Sequence, residues 1–264
     1  MLEIKNVTKI FNPATVNEKI ALNNLSLTLN DGDFVTVIGG NGAGKSTMLN
    51  AVAGVFPIDA GSIVIDGENI TKLPEYKRAK FIGRVFQDPM TGTAADMWIE
   101  ENMSLAYNRG KRRGLNWAIT KKDRMLFREM LKKLDLGLED RLSSKVGLLS
   151  GGQRQAITLL MAAMNSPKLL LLDEHTAALD PKTAAKVLEI TDEIVNESKL
   201  TTIMITHNMK DAIRLGNRLV MMHNGNIVFD VSGEEKQKLQ VSDLMALFSK
   251  VSNGEFANDR ILLS

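Results

Sequence analysis

Three stretches of this chain combine residue types and spacings that could do chemistry on phosphate. The first is Gly39-Gly40-Asn41-Gly42-Ala43-Gly44-Lys45-Ser46-Thr47, which matches G-x-x-x-x-G-K-[ST]. Its glycines allow a tight turn that aims several backbone N–H groups at one phosphate, and a following helix adds its positive N-terminal end. Lys45 can reach β- and γ-phosphates, and the Ser46 hydroxyl can ligate Mg²⁺. By itself the loop does not separate ATPases, GTPases and small-molecule kinases. The second stretch is Leu169-Leu170-Leu171-Leu172-Asp173-Glu174. Four aliphatics bury a strand, and Asp173 emerges at its C-terminal edge, where open α/β sheets bind ligands. One carboxylate there can hold Mg²⁺ through its water shell, and Glu174 can orient or deprotonate an attacking water. The third is Leu149-Ser150-Gly151-Gly152-Gln153, which opens a helix running to about Met164. Ser150 can cap that helix and the glycines keep its start bare. It is either a second anion-binding terminus or simply a glycine-rich cap.

These groups need elements to present them. Phe34 to Ile38 (FVTVI) is a β-branched apolar run between Asp31-Gly32-Asp33 and Gly39-Gly40, and it predicts a buried strand leading into the glycine-rich loop. A helix is predicted over Lys45 to Ala53. Further strands are predicted at Ile20 to Leu29, Gly61 to Gly67, Ile82 to Phe86, Leu169 to Leu172 and Thr201 to Thr206. Arg218 to Met222 and Ile227 to Val231 read as a hairpin turning at Asn224-Gly225. From Trp98 to about Ala163 the pattern is helical. Thr120 and Asp123 have capping-box spacing, and Leu126, Phe127, Met130, Leu131 and Leu134 follow at helical spacing up to Gly137, a predicted stop. Pro181 to Glu197 and the residues around Leu244 to Val251 are also predicted to be helical.

Strands alternating with helices predict an α/β domain with a largely parallel sheet and a helical insertion. The expected division is a core over 1–88 and 165–240, a helical subdomain over 89–164 and a short C-terminal helical extension over 241–264.

The composition removes several alternatives. With 264 residues, the chain can bury a substantial core. Lys and Arg number 33 against 31 Asp and Glu, so the net charge of +2 gives no reason to expect nucleic acid as a ligand. There is no cysteine, which excludes disulfides and thiolate metal sites. The three histidines, His175, His207 and His223, lack chelating spacing. No apolar run approaches the roughly 18–20 residues needed to cross a bilayer, and MLEIKNVTKIF lacks a signal peptide's apolar block. The expectation is a cytosolic protein whose membrane work, if any, is done through another chain.

At this point the sequence closely resembles the ATP-binding cassette (ABC) family. The resemblance runs through the phosphate loop, Gln87 after its strand, LSGGQ at 149–153, Leu169 to Glu174, Ala177-Ala178-Leu179-Asp180, and His207 after its strand. It implies a P-loop NTPase fold of RecA-like type, with a mostly parallel core sheet, an antiparallel β part and an inserted helical subdomain. It also implies a head-to-tail pair of chains. ATP would be held by the loop of one chain, with Gly39, Asn41, Gly42, Ala43, Gly44, Lys45, Ser46 and Thr47, and by Ser150, Gly151, Gly152 and Gln153 of the other. In that scheme Ser46, Gln87 and Asp173 serve Mg²⁺, Glu174 is the catalytic base, His207 contacts the γ-phosphate and Asp180 couples the half-sites. Phe11 stands where the family has an adenine-stacking aromatic, although a core Phe after a short strand is the alternative. His175 departs from the family's usual Pro and reads as a tolerated loop substitution; Asn208 stands where Asp is frequent.

One loop and one signature exclude two-cassette members, and the absence of sustained heptads between Gln87 and Leu149 disfavours coiled-coil relatives. Asn208-Met209-Lys210-Asp211 is not the N-K-x-D of GTPases. The remaining reading is the ATPase subunit of a bacterial transporter, more an importer than an exporter. Its partners would be a second copy, a membrane permease and a solute-binding protein, and its place the inner face of the cell membrane. An exporter or lipoprotein-release ATPase, or a soluble cassette ATPase, stays open. The segment from Asp88 to about Asn108, with Met97, Trp98, Met103 and Tyr107, is expected either to meet the permease or to pack internally. The basic loop 109–113 is expected to be solvated. The runs FQDPMTGTAADM and LDEHTAALD resemble a bacterial branch of amino-acid uptake ATPases, with tryptophan or tyrosine among the solutes.

Overall fold

The computed structural model describes residues 1–111 and 118–251. In chain order the elements are β1 (Leu2–Phe11), β2 (Lys19–Leu29), β3 (Phe34–Ile38), α1 (Lys45–Ala53), β4 (Ala60–Ile65), β5 (Glu68–Asn69), α2 (Glu75–Arg78), β6 (Ile82–Val85), α3 (Ile99–Tyr107) and α4 (Lys121–Lys132). They continue with α5 (Gly151–Ala163), β7 (Leu169–Asp173), α6 (Pro181–Ser198), β8 (Thr202–Ile205), α7 (Met209–Arg214), β9 (Arg218–His223), β10 (Asn226–Ser232), α8 (Gly233–Gln237) and α9 (Val241–Val251). The chain divides into two compact units, 1–81 with 199–264 and 82–198. The second is larger than the insertion expected at 89–164, because β6, β7 and α6 group with the helices.

In the first unit, β3 is buried along its whole length, and a run of five residues with no polar face can sit only in the middle of a layered sheet. It pairs in parallel with β8 on one side and β9 on the other. Thr36 is its one polar residue. The hydroxyl, fully buried, donates to the Ala212 carbonyl at 2.8 Å, so no polar group is stranded. β9 and β10 form the expected hairpin, with Asn224 (φ 46°) and Gly225 (φ 76°) in the left-handed turn that Asn-Gly favours. The antiparallel sheet β2-β1-β4-β5 completes the strands of this unit. Leu244 and Phe248 of α9 join Ile38, Met209, Leu219 and Met221 in one apolar cluster. The expected extension beyond Val251, residues 252–264, lies outside the described residues.

The ends of α1 are fixed from outside the helix. Arg78 is 3% exposed, and its guanidinium donates to the carbonyls of Ala51 and Val52, both at 2.8 Å, and to those of Leu73 and Thr71. The last carbonyls of a helix have no partner within it, and here a buried cation supplies one. Burial pulls the guanidinium's pKa below its ordinary value.

In the second unit, β6 and β7 pair in parallel, with Val85 opposite Leu172. Helix α5 is buried almost all round. Glu100 on α3, 2% exposed, takes a two-pronged ion pair from Arg124 on α4, at 2.7 and 3.1 Å. Thr120 and Asp123 form the expected reciprocal capping box. One expectation is corrected, and one open alternative is decided in part. Helix α4 ends at Lys132, so Leu134 lies beyond it and Gly137 is not its stop; Asp135 (φ 52°) has already turned the chain. Met103 is fully buried and Tyr107 packs edge-on against Phe127, with ring centroids 5.9 Å apart, so both are internal packing; Trp98 stays 44% exposed. Of the basic loop, Arg109, Gly110 and Lys111 are described, while Arg112 and Arg113 lie outside the described residues.

Candidate functional site

The glycine-rich loop runs from the end of β3 to the start of α1. Its backbone is left-handed at Gly42 (φ 76°) and Gly44 (φ 100°), conformations that side-chain-bearing residues avoid. At Gly44 a Cβ would also come within 2.6 Å of the Ala21 carbonyl oxygen. The loop is braced by β2 and by the β9–β10 turn, since Gly225 N–H donates to the Ala43 carbonyl at 3.0 Å. Gly44 caps α1 without a side-chain hydrogen bond, leaving the helix start to backbone N–H groups. Lys45 is 6% exposed, and its ammonium donates to the carbonyls of Gly39 (2.7 Å) and Gly40 (3.2 Å). A cation is thus held over a loop of N–H donors. Asn41 and Ser46 are exposed and Thr47 is half-buried.

Two further residues of this unit reach the same sheet edge or loop. His207 follows β8, which pairs in register with β3 (Val37 opposite Ile205), so it leaves the sheet at the end where the loop begins. Asn208 takes over the start of α7, its side-chain oxygen accepting from Lys210 N–H (2.9 Å) and Asp211 N–H (3.2 Å). Asn does here what Asp does as a cap. Lys19 was not singled out from the sequence. Its ammonium lies 3.3 Å from where a Cβ on Gly42 would stand, adding positive charge beside the loop. Nothing in a lone Lys at a strand start marks it. Phe11 ends β1, half-buried, edge-on to Phe56 with centroids 5.3 Å apart and with the Lys9 ammonium 5.5 Å from its ring centre. It belongs to a surface aromatic pair, not to the core.

In the second unit the parallel pairing of β6 and β7 brings Gln87 and the Asp173-Glu174 pair to one sheet edge. Gln87 is exposed, and the carbonyl of Phe86 before it accepts from the Gln155 side chain at 2.9 Å. Gln155 lies on α5 and is fully buried. Asp173 is half-buried, with the Arg84 guanidinium 3.9 Å away. Glu174 adopts a left-handed backbone (φ 48°), unusual for a residue with a side chain. His175 is corrected from a tolerated loop residue to a buried one. It is 1% exposed, its Nε2 lies 3.0 Å from the Thr191 hydroxyl on α6, and burial lowers its pKa to about 4.

The signature stretch forms the start of α5. The Ser150 hydroxyl accepts from Gln153 N–H (3.3 Å) while the Gln153 side chain accepts from Ser150 N–H (3.2 Å), a full capping box. Asp180 stands at the start of α6. Hydrogen bonds from the Thr183 hydroxyl and backbone N–H hold its carboxyl below the usual pKa.

The expected Mg²⁺ donors are a hydroxyl (Ser46), an amide (Gln87) and a carboxylate (Asp173). These are hard oxygen-type ligands of the kind Mg²⁺ takes, one or two at a time, along with waters and substrate phosphates. Among the described residues there is no cluster of three or more His, Asp or Glu that could cage a metal.

The profile of the ABC transporter family matches residues 22–177. The chain is 47% identical over 248 residues, 94% of its length and 98% of the relative's, to a tyrosine transport ATP-binding protein of Clostridioides difficile. It is 35% identical over 235 residues to the spermidine/putrescine import ATP-binding protein PotA of Haemophilus influenzae, spanning 59% of that longer protein. Among solved structures, it is similar to the ADP conformation of the cassette MJ1267 (TM-score 0.77, 27% identity, 97% of this chain and 99% of that one). It is also similar to a dimeric post-hydrolysis state of the cassette MJ0796 bound to ADP and Pi (TM-score 0.74, 29% identity, 88% of this chain and 98% of that one).

Proposed function

This chain belongs to the ABC transporter family, an ATPase family, and from that membership we propose that it drives uptake of an amino acid, tyrosine or a similar aromatic one, through a separate membrane permease. The observation that carries the solute class is the 47% identity, over 94% of this chain, to a protein named for tyrosine transport. No helix among the described residues is long and apolar enough to cross a membrane, so the path for the solute belongs to another chain. The chain would then sit on the inner face of the membrane, beside its permease and served by a solute-binding protein. The helical stretch 89–164 is the part proposed to face the permease, with exposed Trp98, Met90 and Leu105 in place of the buried Met103.

The proposed chemistry uses the residues as their surroundings prepare them. The loop N–H groups and the Lys45 ammonium bind the ATP phosphates, and Phe11 offers a ring face to the adenine. Mg²⁺, when bound, neutralises charge on the β- and γ-phosphates. Ser46, Gln87 and Asp173 are the residues that would hold the ion. Glu174 takes a proton from the water that attacks the γ-phosphorus, and ADP leaves with the bridging oxygen. His207 donates toward the γ-phosphate as charge builds. Ser150, Gly151, Gly152 and Gln153 of a second copy close on the same phosphates, and Asp180 links the two half-sites.

The test is reconstitution of the ATPase with its genetically neighbouring permease and solute-binding protein in vesicles. Labelled tyrosine should accumulate only with ATP on the ATPase side. Glu174→Gln should abolish both accumulation and turnover. Tyrosine and tryptophan failing to stimulate turnover, while another solute class does, would overturn the aromatic reading; outward movement would overturn import.

A further inference from the structure

We propose that His175, tied to Thr191, is a positioning residue that fixes the backbone of Glu174 for the reaction. The proposal rests on Glu174 acting as the base. The donor order of the tether can be worked out. The Thr191 hydroxyl has one proton, and it is spent on the Val187 carbonyl, 2.8 Å away in the preceding turn of α6. The oxygen must then accept at its 3.0 Å contact with His175 Nε2, so the ring carries its proton on Nε2. Both side chains are buried, His175 at 1% and Thr191 at 0% exposure, so breaking their contact would leave a buried polar atom unsatisfied.

What the tether holds is the point where the chain leaves β7. Glu174 is left-handed there, and its carbonyl accepts from Ala177 N–H at 2.9 Å, followed by Leu179 N–H on the Thr176 carbonyl at 3.1 Å. Such a backbone persists only where its surroundings determine it. The surroundings on one side are a turn closed by two local hydrogen bonds. On the other they are the adjacent His175 ring, anchored to an 18-residue helix. A side chain that only filled space at 175 would need no donor. The direction in which the Glu174 carboxylate leaves the strand is thereby referred to α6 as well as to β7.

The experiment measures kcat and KM for MgATP in the permease-bound complex for Thr191→Val, Thr191→Ser, His175→Leu and Glu174→Gln, with melting temperature recorded for each. Thr191→Val and His175→Leu should each lower kcat about tenfold and leave KM within about twofold, the signature of a misplaced catalytic group. Thr191→Ser, which keeps the acceptor, should restore kcat. Wild-type kcat in folded Thr191→Val and His175→Leu would overturn the proposal, as would a kcat in Thr191→Ser as low as in Thr191→Val, which marks a packing effect and not the hydrogen bond. Should Thr191→Val not fold, His175→Leu carries the same comparison. Full turnover in Glu174→Gln would instead overturn the role of Glu174 itself, a separate result.

Discussion

Lys45 and Lys236 both bury an ammonium against backbone carbonyls, and the two burials serve different ends. Lys45 rests on the carbonyls of Gly39 and Gly40, the loop it is proposed to serve, so its charge is placed before any phosphate arrives. Lys236, 2% exposed, donates to the carbonyls of Leu215 and Gly216 and closes the end of α7. Despite these acceptors, burial dominates and pulls its pKa from 10.5 down to about 8. Between those two values the unfolded chain binds a proton that the folded chain has released. Stability relative to Lys236→Met should therefore rise with pH across that window, by about 3 kcal/mol when complete. Urea unfolding of both proteins at pH 7.5, 9 and 10 measures it, and parallel pH dependences would refute the assignment. The sequence could not single out Lys236, because a Lys in a polar helix normally faces water.

At the scale of elements, the glycines of the signature do more than bare a helix start. A Cβ on Gly152 would land inside the Thr183 methyl group, so the start of α5 can lie against α6 only because position 152 has no side chain. Gly152→Ala should cost roughly 1–3 kcal/mol through overpacking. Thr183→Ser, which removes that methyl but keeps the N–H bonded to Asp180 at 3.1 Å, should recover most of it. Thermal unfolding of the single and double variants decides the matter. Equal losses with and without the Thr183 methyl would place the role of Gly152 elsewhere. The same scale shows why α1 can present its bare N-terminus: its far end is clasped by Arg78, a residue from another helix.

For the whole molecule, the two helix starts proposed to meet phosphate, those of α1 and α5, are the parts that a pair of chains would share. In the proposed pairing each copy would supply the loop to one nucleotide and the signature to the other. Glu174→Gln should sediment as a monomer without nucleotide and as a dimer with ATP, and Ser150→Arg should prevent the shift by crowding the phosphate end of α5. A monomer in ATP well above its affinity would remove the two-chain site.

Much of what is contiguous was legible in the sequence, the end of α4 excepted. The glycine-rich loop, the Asp173-Glu174 pair, the capping box at Thr120, the cap at Ser150 and the Asn224-Gly225 turn all depend on neighbours within a few residues, so their residue types nearly prescribe their conformation. Periodicity likewise marked β3 and α1 to their final residues. What periodicity cannot say is which distant surface a buried face meets. Only the tertiary structure put Arg78 on the carbonyls of α1, Thr183 over Gly152, Gln155 on the carbonyl before Gln87, and Thr191 beside His175. Those partners lie far apart along the chain or on different elements, and they are selected by packing and by the need of each buried polar atom for a partner. The residues proposed for the chemistry were therefore written locally, while the packing that holds them was decided by the fold.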